Sequence, residues 1–132
     1  MQFPLSVRDW HRALAIMFAG PAEELFFRGL MLSPFIRLGK NDTKLKIKNP
    51  FGGGNLLEIS PTELLGIFIS SMFFMALHIN YYGDKKLLAT VFISGVILGL
   101  FYLKYKDLTA NILAHFALNF IVVLQSFWLI GF

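Results

Sequence analysis

The chain has 132 residues, of which 56% are hydrophobic and 16% aromatic, with a mean hydropathy of +0.63 and a formal net charge of +4. The length suits one domain, and the hydrophobic content exceeds that of ordinary soluble proteins, so the composition predicts an integral membrane protein. There is no cysteine, which excludes disulfides, a thiol nucleophile and thiolate metal sites. Any chemistry must therefore use carboxylate, imidazole, amide or hydroxyl groups.

Four apolar segments are long enough to cross a hydrocarbon core, which takes about 20 helical residues. They cover residues 10–36, 62–82, 86–104 and 108–131. Each is predicted to be a helix, because lipid forces the backbone to form its hydrogen bonds within the segment, and no strand pattern is apparent. The predicted fold class is all-α: a multi-pass bundle of about four transmembrane helices. It forms a single domain over residues 1–132, and an origin as the core of a longer multi-span protein stays open.

The first segment contains the charged sequence PAEELFFRG, residues 21–29, between apolar stretches. Pro21 has no N–H to donate to the carbonyl of Met17, so the helix is predicted to kink or restart there. Pro21 would then be the first residue of a new helix. This would place Glu23 and Glu24 in its first turn, where the helix dipole and free N–H groups favour carboxylates.

The three charges of this segment fall on two faces of the predicted helix. Glu24 and Arg28 are four residues apart, so they share a face and can form an ion pair. Glu23 points about 100° away, on the side of Phe27 and Leu30. We therefore predict that Glu24 is a structural acid and that Glu23 is the carboxylate available as a general base. The alternative is a buried ion pair that only fixes helix packing.

Residues 37–59 form a long connection that begins with a basic cluster and continues with the sequence NPFGGGN. The cluster lies between hydrophobic stretches without interleaved aromatic residues, which favours anionic lipid headgroups as its partner over nucleic acid. Connections of this length are usually functional or disordered, so two predictions stay open: a flexible surface loop, or a lid or substrate-docking element. The basic residues are Arg37, Lys40, Lys44, Lys46 and Lys48.

The later segments carry ordinary helix signals. Ser60 and Glu63 form a capping-box pattern at the start of the second segment. Asp107, or the threonine two residues later, is predicted to cap the fourth helix. In the third segment Gly95 and Gly99 form a GxxxG pair, which predicts close helix packing within the bundle, with dimerisation as the lesser alternative.

Further polar residues lie on the second and fourth segments. His78 is near the end of the second segment, one turn after Phe74, and the fourth carries His115 and Asn119 on one face, four residues apart. A lone histidine on an apolar helix is more often a core residue than a functional one. Polar groups on three of four spans must, however, each face the bundle interior, which favours a shared site. Asn111, one turn before His115, extends the same face.

The residue types exclude several chemistries of intramembrane hydrolases. The sequence has no HExxH motif for a zinc protease and no GxSxG motif for a serine protease. An aspartyl protease needs two acids inside the membrane, whereas Asp84 and Asp107 lie in predicted turns beside lysines. A glutamate, two histidines and an asparagine remain. Counting about 1.5 Å per residue from the segment ends, Glu23, His78 and His115 do not fall at one depth in an up-and-down bundle.

Three sequences on three separate spans resemble the motifs of a known family. EELFFR at residues 23–28, FMALH at 74–78 and HFALN at 115–119 are similar to the EExxxR, FxxxH and HxxxN motifs of the CAAX protease and bacteriocin-processing family. This family includes the type II CAAX prenyl endopeptidases and the Abi proteins. The resemblance runs from about residue 20 to about residue 120 and implies a glutamate-dependent intramembrane endopeptidase.

The resemblance also implies three pairs of site residues, which activate water, stabilise the oxyanion and hold the first helix. In that order the pairs are Glu23 with His78, His115 with Asn119, and Glu24 with Arg28. No cofactor and no metal is implied. A zinc site built from a glutamate and two histidines is the alternative, which the cation of EExxxR disfavours. The implied partners are membrane lipid and a peptide or lipidated protein substrate, without nucleic acid.

Two other functions stay open at this point. The first alternative is a non-proteolytic Abi-type membrane protein that acts in bacteriocin immunity or as a scaffold. It also fits a proton or ion pathway built from the same buried groups. For a protease, the substrate would be a prenylated CAAX protein, a bacteriocin precursor or a membrane-protein terminus, and a prenyl chain would lie in an apolar groove between helices.

Overall fold

The computed structural model describes residues 10–80 and 85–128. Helix α1 (Trp10–Glu24) continues into a π-helix (Leu25–Leu32) and then into α2 (Ser33–Leu38), which a 3-10 turn (Gly39–Asn41) follows. Strands β1 (Leu45–Lys48) and β2 (Asn55–Ile59) form a hairpin, and three long helices complete the fold: α3 (Pro61–Leu77), α4 (Lys85–Tyr105) and α5 (Leu108–Trp128). The helical units match the four predicted segments, so the all-α prediction is confirmed for the bundle, and the hairpin is an addition to it.

The outer surface of the bundle is apolar. Phe18 of α1, Leu30 of the π-helix and Leu113 of α5 are 65%, 64% and 65% exposed. Within the described part of the chain, α4 is the one helix whose length and composition alone suffice to cross a membrane. Helix α3 and the Leu108–Leu124 part of α5 are apolar but shorter. A surface of this kind suits contact with lipid rather than with water.

Helix α1 passes through Pro21 without ending, so the predicted restart at this residue is wrong. The proline ring holds φ near the value that a helix needs, and the helix therefore continues at the loss of one hydrogen bond. The irregularity lies four residues later, where the π-helix begins at Leu25. Glu24, at this junction, has helical backbone angles of φ −67° and ψ −41°. Glu23 and Glu24 are thus not at a helix N-terminus, and the helix dipole does not account for their charges.

The connection after α2 contains an antiparallel hairpin, where the sequence predicted no strand. The strands pair from Leu45 opposite Ile59 to Lys48 opposite Asn55. The three glycines of the tip, residues 52–54, have φ values from +87° to +106°, which glycine adopts without a steric penalty. At the base of the hairpin, Ile59 is buried in a cluster with core residues of the helices. The short alternation LKIK is too brief to predict a strand from sequence.

The two glycines of the GxxxG pair lie at the contact between α3 and α4. A Cβ atom at Gly95 would be 3.2 Å from the Cβ of Ser71, and one at Gly99 would be 3.2 Å from Cγ1 of Ile67. Only a glycine lets the two helices approach this closely without displacing a neighbour. The prediction of close packing within the bundle is therefore confirmed.

Both predicted helix caps are present. The Oγ of Ser60 accepts a hydrogen bond from the Glu63 N–H at 3.1 Å, and a Glu63 carboxylate oxygen accepts one from the Ser60 N–H at 2.9 Å, which completes the capping box. The Oδ1 of Asp107 accepts hydrogen bonds from the backbone N–H groups of Thr109 and Ala110, at 2.8 Å and 3.1 Å. Asp107, and not the threonine that follows it, is the cap of this helix.

The buried Glu63 also connects three elements at one end of the bundle. Its Oε1 lies 3.3 Å from Nζ of Lys44, before β1, and 4.0 Å from Nζ of Lys106, in the α4–α5 turn. The start of α3, the hairpin and the α4–α5 turn therefore share this end. The sequence predicted Glu63 as a cap but did not predict its lysine partners.

Candidate active site

The end of α1 and the first half of α5 together enclose the side chain of Glu24, which is completely buried. Its Oε1 accepts a hydrogen bond from Nδ1 of His115 at 2.7 Å and lies 3.2 Å from Nη1 of Arg28. Its Oε2 accepts a hydrogen bond from Nδ2 of Asn111, which is also completely buried. A buried carboxylate requires this number of partners, because an ionised group without them would be expensive to keep from solvent.

Arg28 extends this network to α3 and α4. Its Nη2 donates a hydrogen bond of 2.9 Å to the backbone carbonyl of Gly95 in α4. Its guanidinium carbon lies 5.6 Å from the ring centre of Phe74, on α3, and 6.0 Å from that of Phe27, distances typical of cation–π contacts. The predicted pair of Glu24 with Arg28 is present, and it links four helical elements rather than stabilising the first helix alone.

Glu23 lies on the open side of the same imidazole. Its Oε2 is 3.4 Å from Nε2 of His115, and its side chain is 25% exposed, in contrast to the buried Glu24. His115 therefore stands between two carboxylates of different exposure. An ionised Glu24 carboxylate can only accept hydrogen bonds, so Nδ1 of His115 carries the proton of this contact. The other ring nitrogen, Nε2, faces Glu23.

His78 lies at the C-terminal end of α3 and is held by Phe74. Its Nδ1 is 2.7 Å from the Phe74 carbonyl oxygen, which can only accept, so Nδ1 carries the proton and Nε2 is the basic nitrogen. The Phe74 ring lies 4.7 Å from the His78 ring and 5.7 Å from the His115 ring, centre to centre. One aromatic ring thus contacts both imidazoles.

Asn119, the second predicted oxyanion donor, is engaged elsewhere in the structure. Asn119 lies one turn of α5 beyond His115, and its Nδ2 donates a hydrogen bond of 2.7 Å to the backbone carbonyl of Ile16. This contact joins α5 to the first half of α1. The Ile16 carbonyl takes one of the two N–H donors of this amide.

The sequence predicted different membrane depths for Glu23 and His115, but the two side chains are in contact. Helices α1 and α5 pack along each other, and the small residue Gly20, one turn before Glu24, faces the His115 ring. A Cβ atom there would be 3.6 Å from Cγ of His115, which is an ordinary contact. An up-and-down bundle with helices of equal depth is therefore too simple a description of this chain.

A zinc site is not apparent among these groups. In residues 10–80 and 85–128, no three or more histidine, aspartate or glutamate side chains are arranged to hold a metal ion. The three residues of the zinc alternative, Glu23, His78 and His115, therefore do not form a ligand set here. Arg28, bound to the same carboxylate as His115, adds a positive charge to the region.

The comparison with protein families gives a match to type II CAAX prenyl endopeptidase Rce1-like proteins over residues 9–121. The chain belongs to the Rce1-like family. Comparisons with curated proteins and with solved structures gave no match. The Rce1-like match covers all three motifs, and the Rce1-like proteins are membrane proteins with protease activity.

The structure also shows residues outside the three motifs in contact with the motif side chains. Asn111 was placed on the His115 face, but its contact with Glu24 was not predicted. The carbonyl of Gly95 as an acceptor for Arg28 carried no signal in the sequence beyond the GxxxG pattern. The π-helix after Glu24 was also missed, although π-helical turns are frequent at functional sites.

Proposed function

We propose that this Rce1-like protein is a glutamate-dependent intramembrane endopeptidase that hydrolyses a peptide bond near the membrane with an activated water molecule. The observation that carries the proposal is the contact of His115 with two glutamates of different exposure. Glu24 is buried and neutralised by Arg28, whereas Glu23 is partly exposed and accessible to water. One imidazole therefore connects a structural acid to an accessible one.

Glu23 is the proposed general base. As the water oxygen bonds to the carbonyl carbon of the substrate, one water proton moves to Glu23, and this proton passes to the amide nitrogen when the C–N bond breaks. The products are a new carboxyl terminus and a free amine. His78, whose Nε2 is the basic nitrogen, shares the activation of water with Glu23, as the family motif implies.

His115 is the proposed donor to the oxyanion. Arg28, Glu24, His115 and Glu23 follow one another in contact, so an imidazole protonated at both nitrogens would lie between two carboxylates. Nδ1–H then stays on Glu24, and Nε2–H is available for the developing negative charge on the substrate oxygen. Asn119 is the second donor by resemblance, through the Nδ2–H that the Ile16 carbonyl does not take.

We also propose that the helical units span the membrane several times. Support comes from the apolar outer surface of α1, α3, α4 and α5. An open apolar groove of about 550 Å³ runs between α3 and α4, lined by Leu64, Phe68 and Phe92 among others. Such a groove fits the hydrocarbon chain of a lipidated peptide, so a prenylated CAAX-type substrate is favoured over an unmodified one. The matched family gives no support to bacteriocin processing or immunity.

The test uses the purified chain in proteoliposomes with a farnesylated fluorogenic peptide that ends in a CAAX sequence. We expect cleavage by the unmodified protein and a loss of at least 100-fold in kcat with Glu23→Gln, the order of magnitude that one general base contributes. Exposed Glu58 provides the matched control, since Glu58→Gln also removes one carboxylate but lies on the hairpin, and should cleave normally.

Each result has a distinct meaning. Equal cleavage by the two glutamine variants would overturn the assignment of Glu23. Absence of cleavage by folded, unmodified protein with farnesylated, bacteriocin-derived and unmodified peptides alike would favour a non-proteolytic scaffold. Proton flux that disappears with Glu23→Gln, without any cleavage, would instead indicate a proton pathway.

A further inference from the structure

The hairpin carries an exposed aromatic residue at its tip and lysines along its first strand, β1. Phe51 is 96% exposed, the highest value for a large hydrophobic residue in the described part of the chain. Along β1, the exposed Lys46 and Lys48 alternate with Leu45 and Ile47, which are 61% and 46% exposed. The proposed hydrolase site does not use any of these side chains.

The tip is an ordered turn that presents Phe51 in one direction. The Asn49 side chain accepts a hydrogen bond from the Phe51 N–H at 3.0 Å, and its carbonyl accepts one from the Gly52 N–H at 3.2 Å. Across the turn, the Asn49 N–H donates to the Gly54 carbonyl at 3.0 Å. The exposure of Phe51 is therefore a consequence of a defined backbone conformation.

The charge around the hairpin is strongly positive. Lys44 and Lys106 meet on Glu63 at its base, and Arg37 and Lys40 lie exposed just before it. The exposed acid of the hairpin, Glu58, accepts a hydrogen bond of 2.9 Å from Asn55 on the same strand. An excess of positive charge thus lies at the end of the bundle where α3 begins and α4 ends.

We propose that the hairpin docks on the surface of the bilayer that holds the protein. Phe51 enters the boundary between headgroups and acyl chains, and Lys46 and Lys48 bind the headgroups of anionic phospholipids. The combination of an apolar tip with flanking lysines is that of an interfacial anchor, for which anionic lipid supplies the opposite charge. A polybasic peptide or the same face of a second copy would be repelled by these lysines, so neither fits this surface.

The test measures the depth of a single tryptophan in nanodiscs, with the full chain and without any substrate. Trp10 and Trp128 are replaced by phenylalanine, and Phe51→Trp then provides the probe. Acyl chains brominated near the headgroup quench a tryptophan that enters the bilayer. The matched control is Thr43→Trp, an exposed position before β1 and away from the tip, which should stay in water. Each variant is compared in phosphatidylcholine alone and in phosphatidylcholine with phosphatidylglycerol.

We expect quenching at position 51 to be at least twofold stronger with phosphatidylglycerol, and the added Lys46→Gln and Lys48→Gln substitutions to remove that difference. The control position should show little quenching in either lipid. A probe at position 51 that is as unquenched as the control in the anionic nanodisc would overturn the proposal. Shielding of the probe that depends on protein concentration in detergent would also overturn it, in favour of a second copy. Because no peptide is cleaved in this test, its result is independent of the proposed hydrolase activity.

Discussion

The Nδ1 of His115 lies 2.7 Å from the Oε1 of Glu24, deep between α1 and α5. Glu24 is the same carboxylate that holds Arg28, so the ion pair of the EExxxR motif and the histidine of the HxxxN motif belong to one network. In the proposed function, the pair that supports the helices also orients the imidazole beside Glu23. Some substitutions in this network should therefore lower the free energy of unfolding, whereas others should lower kcat.

The first prediction concerns the buried charge of Arg28. Glu24→Ala is expected to destabilise the protein by about 3–5 kcal/mol, because the guanidinium would remain buried without its carboxylate. Adding Arg28→Met should recover part of this loss, since both charges are then absent. The free energy of unfolding of the two single variants and the double variant in bicelles gives the coupling between the residues. If the two single effects simply add, the ion pair does not contribute as the structure implies.

The second prediction concerns Asn111 as a positioning residue. Asn111→Leu removes the donor to Oε2 of Glu24, the carboxylate that orients His115. We expect a loss of roughly 10-fold to 100-fold in kcat, because a misplacement of about 1 Å can cost about 100-fold in rate. The KM should change little, because Asn111 is completely buried and does not reach the surface that meets substrate. Steady-state cleavage of the farnesylated peptide measures both constants.

Ser70→Ala is the control for Asn111. Ser70 is also a buried donor, but its Oγ donates to the Phe27 carbonyl at 3.3 Å and has no contact with Glu24. We expect this variant to keep kcat near that of the unmodified protein. An equal decrease in kcat for both variants would mean that buried hydrogen bonds in general, and not the position of Glu24, limit the reaction.

Much of the fold and part of the site follow from the sequence because they depend on local spacing. Apolar length defines the helical units, the interval from Ser60 to Glu63 defines a capping box, and the interval from Glu24 to Arg28 defines an ion pair on one helical face. Each of these interactions is completed within a few residues of the chain. The spacing therefore determines the contact before tertiary structure does.

The remaining features depend on which helices become neighbours, which spacing does not determine. The contact of Glu24 with Asn111 joins residues 87 positions apart, and the contact of Arg28 with Gly95 joins residues 67 apart. Pro21 illustrates the opposite case, in which a strong local preference for a helix break was overridden by packing of α1 along α5. The π-helix has no sequence pattern of its own, and it was missed for that reason.

The third prediction concerns the close contact of α3 with α4. Gly95→Ala would place a methyl group 3.2 Å from Oγ of Ser71 and 3.3 Å from Cδ1 of Phe74, so we expect a loss of about 1–3 kcal/mol in the free energy of unfolding. Gly29→Ala is the control, because its nearest neighbour would be Leu108 Cδ2 at 4.0 Å and no atom has to move. Thermal unfolding in detergent compares the two. A control variant that loses as much as Gly95→Ala would show that the cost lies in the helix backbone and not at the contact.

The fourth prediction concerns Lys106, which lies in the α4–α5 turn outside the helical spans. Burial lowers the pKa of Lys106 from its ordinary value of 10.5, and the nearby carboxylate of Glu63 opposes this effect in part. The folded protein therefore holds the proton of this ammonium less tightly than the unfolded chain does. As the pH rises through the lowered pKa toward 10.5, the unfolded chain binds more protons than the folded one, and the contribution of Lys106 to stability increases.

The unmodified protein should consequently gain stability relative to Lys106→Gln over the alkaline range that ends near pH 10.5. The two melting temperatures, followed in detergent from neutral pH upward, test this sign. The side chain of Lys106 is 50% exposed, so solvent screening keeps the gain small. Lys40→Gln removes one charge from an exposed lysine before the hairpin and provides the matched control. A difference between Lys106→Gln and the unmodified protein that stays constant, or that changes in the opposite direction, would show that burial does not dominate the electrostatics of this turn.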